Sequence, residues 1–169
     1  MDVVIEVPMS SKVKYEYDES FNCIRLDRIL HNSNTFPYNY GFIPNTLSPD
    51  GDPIDIFVIC EHRLVPGCRV KVNVLGGIET TDEKGLDHKL ISVVCKDPDF
   101  MHYKDIVELP TAYTHKIMYF LKHYKDGEPG KFINVDNNFY DKEHALKLIK
   151  LYTNSNWFIV FSLFFFTYY

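Results

Sequence analysis

Through the first hundred residues the apolar positions fall in short runs that alternate with polar ones, the period of strands. Residues 3–7 form a β-branched run closed by Pro8, and residues 14–17 and 24–29 alternate on either side of a turn-like segment at 18–22. Residues 54–60 and 68–75 read as apolar strands separated by a turn at Pro66-Gly67. Residues 76–78 and 90–95 read as further strands, joined by an acidic loop at 80–88. Before them, residues 35–55 mix Pro, Asn, Gly and Asp with aromatics, which predicts an ordered loop region rather than a regular element.

A helical period comes late. Tyr113, Ile117, Phe120, Leu121 and Tyr124 fall at i, i+4, i+7, i+8 and i+11, with Pro110 near the predicted start. A second helix is predicted to begin at Asp141 as its N-cap and to bury Ala145, Leu148, Ile149 and Tyr152. Many strands followed by two helices predict an α+β domain, mainly β, on a closed or nearly closed barrel.

Composition narrows this picture without redirecting it. A chain of 169 residues suits one domain, placed at residues 1–152, followed by an atypical tail at 153–169. A net charge of -5 argues against a protein that grips nucleic acid through bulk charge, although clustered carboxylates can hold cations that then hold an anion. Cys23, Cys60, Cys68 and Cys95 form no Cys-x-x-Cys pair and the N-terminus lacks a basic signal region, so the thiols are expected reduced and the protein cytoplasmic. The seven histidines lack His-x-x-x-His spacing, which disfavours a histidine-built zinc site. The tail carries no charged residue, and its apolar run at 157–166 is shorter than the roughly 20 residues a membrane span needs. Three readings of it stay open: a segment buried on the body or at a subunit contact, a peripheral membrane anchor, or an aberrant end from a shifted or truncated reading frame. Exposed, it would be an aggregation hazard.

The chemistry-bearing stretch is Asp50-Gly51-Asp52-Pro53-Ile54-Asp55. Carboxylates packed so closely repel one another and take up protons or cations to relieve it. An oxygen-only donor set without His or Cys points to a hard ion, Mg²⁺ or Mn²⁺. A calcium EF-hand does not fit, because the sixth position is Asp55 rather than Gly. Taken alone, the stretch reads equally well as a solvated acidic turn. Asp82 and Asp87 lie across a Gly-containing turn that alone reads as a hairpin tip, and Glu6 and Glu16 sit on short predicted strands. Two acidic loops and two strand glutamates could meet at one barrel mouth, which periodicity alone does not decide.

In this order the segments resemble the family I soluble inorganic pyrophosphatases in their short prokaryotic form. The matching residues are Val4-Ile5-Glu6-Val7-Pro8, Lys14-Tyr15-Glu16, Asp27-Arg28, Phe36 through Pro44, the Asp-Gly-Asp-Pro-x-Asp element, Asp82 through Lys89, and His123-Tyr124-Lys125-Asp126. The resemblance spans residues 3 to about 150 and implies an OB-like five-stranded β-barrel flanked by two α-helices, with the site in its mouth. It implies hydrolysis of pyrophosphate to two phosphates by a metal-activated water, with several Mg²⁺ ions per site and Mn²⁺ as a possible substitute. Asp50, Asp55 and Asp87 match ligands of the tightest metal, with Asp55 also reaching a second. Asp82 and Asp87 match the residues serving a metal that arrives with substrate, and Glu6 and Glu16 match outer groups acting through water. Asp52 matches the general base. Lys14, Arg28, Lys89 and Lys125 match the cationic contacts to phosphate, and Tyr40 and Tyr124 the hydroxyl donors. A homohexamer is the implied assembly.

Four departures accompany the resemblance. Phe36 stands where the family commonly has Tyr, which predicts weaker substrate or product binding with the chemistry retained. Leu86 is apolar within the second acidic cluster, a customary leading segment is missing before the first strand, and the last twenty residues do not match. Asn39 reads as structural rather than catalytic. The rival readings are a catalytically inactive descendant serving as a structural or binding protein and an OB-like module stacking single-stranded nucleic acid on its aromatics. The intact set Asp50, Asp52, Asp55, Asp82 and Asp87 opposes the first, and the missing basic stripe opposes the second.

Overall fold

Side chains of residues 1–153 and the backbone of residues 1–165 are described by a computed structural model. In chain order the elements are β1 (Asp2–Val7), β2 (Val13–Asp18), β3 (Cys23–Ile29), β4 (Asn39–Phe42), β5 (Asp55–Ile59), β6 (Arg69–Asp82) and β7 (Gly85–Val94). A 3₁₀ turn at Ile106–Glu108 then leads to α1 (Thr111–His123), β8 (Ile133–Val135), β9 (Tyr140–Asp141) and α2 (Lys142–Phe165).

Five strands close a ring. β1 pairs with β4, β4 with β5, β5 with β7, β7 with β6, and β6 returns to β1. Only the β5–β7 pair is parallel. The 14-residue β6 is long enough to run beside β7 along one side while β1, β9 and β8 share the other. β2 and β3 form a separate hairpin, tied to the ring where Tyr17 stacks on Phe42.

β5 shows why the ring needs a helix on each side. Its run Ile56-Phe57-Val58-Ile59 is buried throughout, and the two-residue period of a strand sends alternate members to opposite faces. Phe57 and Ile59 join the core that holds Ile117, Phe120 and Leu121 of α1. Ile56 and Val58 join the core that holds Ala145, Ile149 and Tyr152 of α2.

Three sequence expectations need correction. The predicted loop region at 35–55 contains β4, a ring strand buried along its length. Its Gly41 hid it: a Cβ there would lie 1.9 Å from the carbonyl oxygen of Val4, so the close β1–β4 approach requires the residue that reads as a turn signal. The strands expected at 68–75 and 76–78 are one strand with a register shift between Val74 and Gly76. Gly76 and Gly77 are needed there because the Tyr140 backbone and ring lie against them. The expected acidic loop at 80–88 is ladder almost to its tip, with Asp82 opposite Gly85 and only Glu83 and Lys84 in the turn.

Both helices form. Ile117, Phe120, Leu121 and Tyr124 are buried as expected, Tyr113 is half-buried, and Tyr124 caps the C-terminus of α1. Asp141 caps α2, accepting at 2.9 Å from the backbone N–H of His144. α2 then passes the expected boundary at residue 152 and continues to Phe165, while what the tail's side chains meet lies outside the described residues. Among the described residues no helix is long and apolar enough to cross a membrane. The four cysteines are free thiols.

Candidate active site

The barrel mouth opens into a cavity of about 990 Å³ framed by the β2–β3 hairpin, the β4–β5 connection, the β6–β7 hairpin and the segment after α1. Every residue singled out from the sequence lines it: Asp52; Lys14, Arg28, Tyr40, Lys89, Tyr124 and Lys125; Asp50, Asp55, Asp82, Asp87, Glu6 and Glu16. Phe36 lines it too, buried between Tyr40 and Phe120 at ring separations of 5.4 and 4.6 Å.

The β5–β7 pairing builds the centre. Its register sets Asp55 opposite Lys89, with Asp87 two residues earlier on the same face as Lys89. Lys89 Nζ bridges the Asp55 and Asp87 carboxylates, and both Lys89 and Asp87 are about 95% buried. Burial works against the Lys89 charge, but the Asp55 and Asp87 carboxylates outweigh it and hold the ammonium protonated. Burial, with the Asp55 charge adding to it, pushes the Asp87 carboxyl up to about 6. Glu6 accepts from the Tyr17 backbone N–H at 2.7 Å and is pushed up to about 8, first by burial and then by Asp55. Burial also raises Asp50.

The rim pairs its charges as well. Lys125 donates to Asp82 and Glu83, each at 2.8 Å. Burial alone would raise Asp82, yet Lys125 and the Lys84 backbone N–H hold it below the usual carboxylate range. Lys84 Nζ reaches across the mouth to Asp52 at 2.6 Å, and both side chains are 57% exposed. Lys14 pairs with Glu16 and Asp27, and Arg28 with Asp27 and Glu128. The Tyr40 and Tyr124 hydroxyls are raised by burial and stay neutral donors near pH 7.

Among the described residues no three carboxylate, imidazole or thiol groups stand together as a finished metal cage. The donor chemistry nevertheless fits hard divalent ions: the groups are all oxygen donors, and burial raises Glu6, Asp87 and Asp50, a shift that added positive charge would oppose. Lysine ammonium groups stand in that role here, on Asp55, Asp87, Asp82 and Asp52. Such a mouth can take up cations against its carboxylates, present lysines and an arginine to an anion, and offer an exposed carboxylate to a water proton.

Sequence reasoning assigned no role to Glu83, Lys84, Asp27, Lys131 or Glu128, all of which pair with mouth cations or carboxylates. Lys84 and Glu83 sit at the tip of the second acidic cluster, where the sequence shows charge but no sign of a partner across the mouth. Glu128 lies in a turn with no pattern of its own. Asn39 is structural as expected: it is fully buried, accepts from Met9 and Leu64 N–H and donates to the His62 carbonyl.

Residues 3–156 match the family model described as inorganic pyrophosphatase. The inorganic pyrophosphatase of Nanoarchaeum equitans is 49% identical over 148 residues, 86% of this chain and 91% of the relative. Among solved structures, the inorganic pyrophosphatase from Helicobacter pylori superposes with a TM-score of 0.88 at 38% identity, covering 92% of each chain. That from Thermus thermophilus gives a TM-score of 0.88 at 39% identity over 92% of this chain and 90% of its own.

Proposed function

The chain belongs to the inorganic pyrophosphatase family, and from that premise we propose that its barrel mouth hydrolyses pyrophosphate to two orthophosphates. Its class is inorganic diphosphatase, a hydrolase of phosphoric anhydride bonds. The supporting observation is that acidic and basic side chains from separate segments share one cavity, with Asp55 and Asp87 held by Lys89 and Asp82 by Lys125. A polyanion needs those cations, and a carboxylate-lined mouth needs added positive charge before it can admit one.

In this reading Asp50, Asp55, Asp82 and Asp87 would hold Mg²⁺, with Mn²⁺ as a substitute, and Glu6 and Glu16 would serve as outer groups; bound there, the metal would supply a lowered pKa for the attacking water and screening of the phosphate oxygens. Asp52, exposed at the rim, leaves Lys84 and takes the proton of that water. Lys14, Arg28, Lys89 and Lys125 neutralise the charge that grows on the departing phosphate, and the Tyr40 and Tyr124 hydroxyls donate to its oxygens. Phe36 offers no such donor. The free thiols suit the reducing cytoplasm, and a homohexamer is the assembly in this reading.

The test is phosphate release from pyrophosphate with Mg²⁺, with excess EDTA, and with Asp52→Asn. Release should require Mg²⁺ and fall by a factor on the order of 10²–10⁴ in the mutant. A well-folded wild-type protein that releases nothing would instead be an inactive descendant.

A further inference from the structure

Arg28 lies between two carboxylates of different standing. Its Nη1 donates to Asp27 at 2.5 Å, but Asp27 also takes Lys14 and is a quarter exposed. Its Nε meets Glu128 Oε2 at 2.6 Å, and the Glu128 side chain is 3% exposed. The Nε contact is held by charge rather than by an aligned N–H, and Glu128 Oε1 is buried without a hydrogen-bond partner. A carboxylate buried this deeply, with a single cation against it, costs more desolvation than an exposed one and is poorly suited to mere stabilisation. What it supplies is geometry: Glu128 at Nε and Asp27 at Nη1 together fix a guanidinium that lines the cavity.

The turn that carries Glu128 is itself tied down. Asn32 Nδ2 donates to the carbonyls of His123, Tyr124 and Asp126, and Asn34 Nδ2 donates to that of His123. These bonds take up carbonyls at the C-terminal end of α1 and in the turn just beyond it, which the helix ladder does not pair. His31 Nδ1 lies 3.0 Å from the Gly127 carbonyl oxygen. The short segment after β3 therefore fixes the loop that places Tyr124, Lys125 and Glu128, and β3 itself carries Arg28.

We propose that Glu128 is a positioning residue that orients Arg28 toward the phosphate in the mouth; this rests on the reading of the mouth as a pyrophosphate site. Glu128 touches no substrate. Its effect is on how well the Arg28 fork matches phosphate oxygens, so it should appear in binding rather than in the proton step.

The experiment is calorimetric binding of inorganic phosphate in the presence of Mg²⁺, together with KM and kcat for pyrophosphate, on wild type, Glu128→Gln, Glu128→Asp, Arg28→Ala and the Arg28→Ala/Glu128→Gln pair. Glu128→Gln should weaken phosphate binding and raise KM by about tenfold, the scale of one charge-assisted contact, while kcat changes by less than about threefold. Glu128→Asp, which keeps the charge, should recover part of the loss. In the Arg28→Ala background, Glu128→Gln should add nothing. Unchanged phosphate binding in Glu128→Gln, or a loss that multiplies undiminished with that of Arg28→Ala, would overturn the proposal. Where Glu128→Gln fails to fold, the same cycle run with Glu128→Asp decides it. A wild-type protein that binds phosphate but hydrolyses nothing would sink the hydrolase reading while the binding cycle still judged Glu128.

Discussion

The two acidic loops that face each other across the mouth are neutralised in opposite ways. The β6–β7 hairpin is a paired ladder to its tip, and its carboxylates are covered by cations: Asp87 by Lys89, Asp82 by Lys125, Glu83 by Lys125 and Lys131. The β4–β5 connection holds Asp50, half-buried, and Asp52, whose exposed pairing with Lys84 is of the kind worth little. The laddered side fixes where charge sits, and the other side leaves Asp52 exposed with a single weak partner, as the proposed general-base role asks of it. Asp55 belongs to both, since it starts β5 and shares Lys89 with the hairpin.

The largest way to break this contrast is to remove Lys89. Lys89→Met leaves Asp55 and Asp87 facing each other at the buried centre without a cation. Breaking a buried pair costs about 3–5 kcal/mol, so the metal-free mutant should unfold at clearly lower urea than wild type in EDTA. Added Mg²⁺ should restore part of the loss, because a divalent ion can take the same place between the carboxylates. Equal urea midpoints in EDTA would mean that Lys89 is not the internal counter-ion.

A smaller effect sharpens the comparison through pH. Glu6 is raised from the usual 4.5 to about 8, so the metal-free folded chain keeps a proton that the unfolded chain releases. Its contribution to stability is therefore fully present below 4.5 and is lost as pH rises towards 8, at about 1.4 kcal/mol per pH unit in between. Glu6→Gln cannot ionise and should flatten that slope. Urea midpoints at several pH values between 5 and 8 in EDTA measure it, and parallel slopes for the two proteins would remove Glu6 as the cause.

Much of the site was legible because two of its parts are runs: the Asp50–Asp55 cluster and the Asp82–Lys89 hairpin carry their chemistry in neighbouring letters, whereas Glu6 and Glu16 stand apart on separate strands. What was hidden depends on contacts between distant segments. β4 was masked because Gly41, which admits the β1 backbone, is the same letter that marks a turn. The register shift near Gly76 disguised one strand as two. Glu128 has meaning only once the loop after α1 is folded against β3, a hundred residues away in sequence. Lys84 lay in view but without a role, since nothing local says that a hairpin lysine crosses the mouth to Asp52.

Lys84 yields the smallest effect and the finest division between the two loops. It belongs to the laddered hairpin yet pairs with the exposed aspartate opposite, and Asp52 draws it towards the protonated form. An ion pair this open contributes under about 1 kcal/mol, so Lys84→Ala should leave the urea midpoint nearly unchanged. Its consequence lies in competition. An ammonium group on Asp52 occupies a carboxylate oxygen assigned to proton transfer in the proposed reaction, and it adds positive charge beside carboxylates proposed to hold Mg²⁺. Removing it should tighten Mg²⁺ binding by a few-fold, roughly the scale of one exposed pair, as read by calorimetry on the substrate-free protein. Weaker Mg²⁺ binding in Lys84→Ala would reverse the assignment: the lysine would then be a strut that holds the Asp52 loop in place for the metal rather than a rival for it.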